Sequence, residues 1–146
     1  MFICFKQYSV LKDYVNTISP IFRSINLQNA DFKEVLRELN QLNARIEELY
    51  NTIGIEKLKE RLSVLENDIQ KNEVWSDQVK FAEMNQEISR LKRKIEPWNI
   101  LKNEVSESIG LAEMAEAEDD GAILNEVASN VDGLVAKFDE LETREL

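Results

Sequence analysis

Hydrophobic residues recur along most of this chain at alternating steps of three and four. Val35, Leu39, Leu42, Ile46, Leu49 and Ile53 step by 4, 3, 4, 3 and 4. This is the heptad stripe of a helix buried along one side, and it predicts a helix over residues 31–53. Asp31 suits the N-cap, with Glu34 three residues on as its capping-box partner. Gly54 offers a C′ stop or a kink. Ile55, Leu58, Leu62, Leu65 and Ile69 then step by 3, 4, 3 and 4, predicting a helix over 55–71. The phase nearly carries across Gly54, so the two segments also read as one helix. Asn51 and Thr52 favour a break, and a break is the reading adopted.

Phe81, Met84, Ile88, Leu91, Ile95 and Trp98, followed by Val105 and Ile109, predict a long helix over 77–117. Ser76 or Asp77 can cap it. Lys102 interrupts the stripe, with Leu101 alongside. Pro97 lies inside it, and a proline there loses a hydrogen bond at a cost of about 3 kcal/mol. The stripe resumes on the same face, so a kink near 93–97 or a short break is expected, with helix on both sides. After an acidic link at 117–121, Leu124, Val127, Val131, Leu134, Phe138 and Leu141 predict a last helix over 121–144. Asp119 or Asp120 caps it and favours the positive end of its dipole. Residues 1–30 read as an N-terminal helical extension, with a helix over 5–18 ended by Ser19-Pro20. Long stripes joined by short links make antiparallel neighbours. The fold class is therefore all-α, an antiparallel helical bundle over 31–146 with a long helical hairpin.

Composition agrees with that picture. Only 4 glycines and 2 prolines in 146 residues leave few helix breakers. The length suits one domain. A net charge of -10 argues against wrapping DNA or any nucleic acid as the main task, yet leaves room for a small basic patch. No apolar run approaches the roughly 20 residues of a membrane helix. The opening MFICFKQYSVLK lacks a signal-peptide layout, so a cytoplasmic protein without a membrane partner is expected.

Candidate chemistry is sparse. The chain has no histidine and a single cysteine, Cys4, which removes an internal disulfide and the usual zinc sets. Four isolated glycines build no phosphate loop. No nucleophile has a base. Glu116, Glu118, Asp119 and Asp120 read as a solvated cap and turn, without the spacing of a calcium loop. No catalytic residue, metal site or cofactor is expected, and the chain reads as a non-enzyme. Two features remain. Arg90, Lys92, Arg93 and Lys94 form the dense basic cluster, which is either a phosphate dock or a solvated helix face carrying salt bridges with neighbours such as Glu87. Trp75, in a short polar link, and Trp98, on the stripe, read as structural plugs of the bundle rather than ligand platforms.

Residues 55–146 resemble the N-terminal helical domain of the bacterial peptide chain release factor 2 family. The resemblance runs through the link Lys71-Asn72-Glu73-Val74-Trp75-Ser76-Asp77, a long helix, the acidic stretch Glu116-Ala117-Glu118-Asp119-Asp120 and a last helix with Phe138-Asp139-Glu140-Leu141-Glu142. Members of this family read UAA and UGA stop codons through a Ser-Pro-Phe tripeptide and trigger peptidyl-tRNA hydrolysis through a Gly-Gly-Gln loop. Neither motif occurs in this sequence, so the resemblance implies the first domain alone. It implies a non-catalytic helical bundle facing the stalk base of the large ribosomal subunit, with a link to the GTPase release factor. Arg90, Lys92, Arg93 and Lys94 are then the candidate ribosome contacts. The competing reading is a free-standing coiled-coil scaffold or adaptor, supported by the same heptad stripes and the lack of chemistry.

Overall fold

The computed structural model describes residues 31–145; the expectations for residues 1–30, Cys4 included, lie outside them. The described residues form five helices: α1 (Phe32–Ile53), α2 (Ile55–Asp68), α3 (Asn72–Trp75), α4 (Gln78–Ala117) and α5 (Gly121–Glu145). The fold is all-α, a bundle built on the long hairpin of α4 and α5.

The starts of α1, α4 and α5 follow side-chain chemistry. The Asp31 carboxylate accepts the Lys33 amide, and Asp77 accepts those of Val79 and Lys80. Asp120 accepts the amides of Ala122 and Ile123 at the head of α5. Each satisfies donors that the first turn leaves without partners. Asp119, at φ 54, turns the chain between α4 and α5 in a left-handed conformation that aspartate tolerates better than most residues. Gly54 separates α1 from α2 by itself. Its φ of 75 ends α1, its amide closes on Tyr50 and Asn51, and α2 begins at the next residue.

The 40-residue α4 spans about 60 Å at 1.5 Å per residue and organises everything else. α5 runs back along its second half, with Lys137 on Glu104 at 2.7 Å and Lys94 on Glu145 at 3.1 Å. α1 lies antiparallel to the same half, placing Tyr50 beside Asn99 and Glu47 beside Lys102. These three helices make the body. Towards its N-terminal end α4 leaves both behind and is covered, among the described residues, by α2 and the short α3. This two-helix stretch forms an arm.

The core follows the stripes. Trp98, Leu101, Val105, Leu39, Ile46, Ile55 and Phe138 are essentially sealed, and no polar or charged residue is buried among the described residues. All six stripe residues of α5 are buried. At the body's centre the edge of Trp98 meets Phe138 at 6.2 Å, and the Arg45 guanidinium sits 4.4 Å from the centre of that ring. This chain of contacts joins α4, α5 and α1.

Of the two alternatives expected at 93–97, the short break does not occur: α4 runs through Pro97 with helix on both sides. Ile95, Trp98 and Leu101 are buried on either side of it, and their burial outweighs one lost backbone bond of about 3 kcal/mol. Within the short polar link, Asn72–Trp75 form one helical turn. Tyr50 is buried while Leu49 is only partly so, because the Tyr50 ring fills the turn at Gly54. Its hydroxyl lies 2.8 Å from Glu56 and 3.1 Å from Asn99, and Lys59 and Lys102 stand over its ring. A phenol has one proton, so it donates to the Glu56 carboxylate, and the Asn99 amide can turn to donate to the phenol oxygen.

Candidate functional site

The four residues of the basic cluster are all exposed on α4, but they do not form one surface. At 100° per residue, Lys92 and Lys94 flank the buried stripe on opposite sides. Lys92 reaches α2, its ammonium 2.7 Å from Glu66. That hydrogen bond raises the Lys92 pKa above its ordinary value. Lys94 reaches α5 and pairs with Glu145 at 3.1 Å. Both lysines therefore tie helices together.

Arg90 and Arg93 differ. They lie one turn apart, Arg93 opposite the buried Ile88, Leu91 and Ile95. Neither has an ion-pair partner within 4.0 Å among the described residues. Glu87, the partner expected for this cluster, instead accepts from Arg61 on α2 at 3.2 Å.

The same outward face continues towards the start of α4. Val79, 69% exposed, and Ala82 border a shallow hollow with Gln78, Glu83 and Gln86. Residues 79, 82, 86, 90 and 93 recur at three- and four-residue steps, so they share this face. Reading for the buried stripe passed over them. Their signal is the complementary period, with small, amide and arginine side chains in place of carboxylates.

The tryptophans separate. Trp98 is 1% exposed, in the centre of the body. Trp75 is 66% exposed, so it is not a buried plug. It ends the four-residue α3, whose buried side chain is Val74, and its ring rests 5.5 Å from Phe81 at the end of the arm. With no third helix beside the arm among the described residues, nothing encloses the indole.

Among the described residues no group of three or more Asp, Glu or Cys side chains is placed to hold a metal ion. No helix among them is long and apolar enough to cross a membrane.

Comparison with known proteins points in one direction. The family model of the PCRF domain matches residues 58–146. Peptide chain release factor 2 of Salinispora arenicola (strain CNS-205) is 30% identical over 120 residues, covering 82% of this chain and 31% of that protein. The protein of the same name from Campylobacter fetus subsp. fetus is 26% identical over 112 residues, 77% of this chain and 30% of its own length. That of Kosmotoga olearia is 27% identical over 108 residues, 73% of this chain and 29% of its own. The chain thus spans less than a third of the length of these relatives.

Proposed function

We infer the role of this chain from its family: it belongs to the PCRF domain family and is related to bacterial peptide chain release factor 2. We propose that it is the non-catalytic N-terminal domain of a class I release factor, with residues 31–146 forming the domain and residues 1–30 an extension of it. It acts in stop-codon-dependent translation termination in the cytoplasm, at UAA and UGA, by docking near the stalk base of the large ribosomal subunit. The GTPase release factor is the second partner proposed. The observation that carries this reading is the family match over 58–146, which takes in most of α2 and all of α3, α4 and α5.

Physical features support it. A chain of net charge -10 is repelled by RNA over most of its surface, so any ribosome contact needs a local positive face. Arg90, Lys92, Arg93 and Lys94 are the proposed contacts; Arg90 and Arg93 share one outward face of α4, while Lys92 and Lys94 flank the stripe beside Glu66 and Glu145. The rest of the exposed surface, rich in carboxylates, is better suited to basic protein surfaces.

The test is sedimentation of the purified 146-residue protein with isolated large subunits at two salt concentrations. Salt-sensitive co-sedimentation, competed by full-length release factor 2, is expected. A folded helical protein that never sediments with large subunits would overturn the docking reading in favour of a scaffold with another partner.

A further inference from the structure

We propose that the outward face of α4 from Val79 to Arg93 is an RNA-backbone docking strip, in which Arg90 and Arg93 hold phosphates and Lys92 and Lys94 take no part. The inference rests on the ribosome reading and deepens it: of four candidate contacts it selects two, and it names the chemistry they meet.

The selection follows from the ion pairs. Lys92 and Lys94 are already neutralised by Glu66 and Glu145 from neighbouring helices, at 2.7 and 3.1 Å. Turning either lysine towards a ligand gives up a bond between helices. Arg90 and Arg93 give up nothing of that kind among the described residues. Their guanidinium groups present planar forks that fit two oxygens of one phosphate, and they are less strongly hydrated than an ammonium. Residues three apart on a helix stand about 5–6 Å apart at Cβ, so the two forks can follow consecutive phosphates of one strand.

The surroundings suit a nucleic-acid strand. Gln86, one turn before Arg90, offers an amide that can donate to a sugar or phosphate oxygen. Beyond it, Val79 and Ala82 line the shallow hollow, an apolar floor against which a ribose can lie. Glu83 and Glu96 flank the arginine pair along the helix and limit the phosphate contacts to a short length of backbone. The long helix holds all these groups in fixed register, and no other described helix lies on this face. Two phosphate contacts without base readout would add affinity that depends on salt and ignores sequence.

Binding of the whole chain to isolated large subunits, titrated over salt, tests this with two double variants. Arg90→Gln/Arg93→Gln should raise Kd about tenfold or more and lower the salt slope by about two, roughly one per lost phosphate contact. Its thermal midpoint should stay within about 2 °C of the unaltered chain, as expected for surface changes. Lys92→Gln/Lys94→Gln should lower that midpoint while leaving Kd within about twofold and the salt slope unchanged. If the unaltered chain binds and the arginine variant keeps its Kd and slope, the strip is overturned and docking stands. If the lysine variant also loses two units of slope, the selection of Arg90 and Arg93 is overturned. If the unaltered chain does not bind at all, the docking reading falls and takes the strip with it. Protein-free ribosomal RNA and polyglutamate serve as probes of the ligand class. Competition by polyglutamate alone would overturn the RNA assignment in favour of an acidic protein segment.

Discussion

Truncating Trp98 would empty the space where its indole edge meets the Phe138 ring, 6.2 Å away. The site is sealed on every side, and the backbone of a three-helix body cannot collapse into it. Trp98→Ala should therefore cost about 3–5 kcal/mol, read from the urea midpoint. The same change at Trp75 removes an indole that is 66% exposed and touches one ring, so it should cost less than about 1 kcal/mol. Equal losses at both positions would mean that Trp75 is sealed as well. The contrast was half legible in the sequence. Trp98 falls in phase with Leu91 and Ile95 on the stripe, so its burial could be read from its period. Trp75 belongs to no stripe, and its exposure depends on how many helices reach the end of the arm. The cluster at 90–94 had the same limit: four cations were visible, but which of them face carboxylates on α2 and α5 is a property of the packing.

Among the elements, α4 is the one that breaks a local rule. Pro97 cannot donate to the Arg93 carbonyl, yet the helix continues through it with buried residues on both sides. That arrangement stores a local cost that the core outweighs. Pro97→Ala restores the donor and should stabilise the protein by about 1–3 kcal/mol, seen as a higher urea midpoint at unchanged slope. A loss of stability would show that the proline ring itself fills space against a neighbour. The helices were legible because each stripe runs over several turns, and all six apolar positions of the last one proved buried. Joints were harder. At Gly54 the stripe's phase allowed one helix or two, and the left-handed φ of 75 makes them two. At Pro97 local preference allowed a kink or a short break, and the continuous helix removes the break.

For the whole molecule, the stripes announced an inner face on each helix without saying which helix would meet it. The consequence is an uneven body. Along the second half of α4, α1 and α5 close the core from two sides. Along the first half only α2 and α3 do so among the described residues, and Leu58, Leu62, Ile69 and Met84 stay partly exposed there. Fewer buried contacts mean a smaller free energy of local opening. Amide exchange should therefore be faster for α2 and residues 81–91 of α4 than for residues 98–115 and α5, by about tenfold or more, which corresponds to about 1.4 kcal/mol. The docking strip lies on that weaker arm. A ligand held at Arg90 and Arg93 binds the closed arm and not the opened one, so large subunits should slow exchange in α2 and early α4 more than in α5. Slowing confined to α5 would place the contact on the body instead, and uniform exchange in the free chain would mean that the arm and body open as one unit.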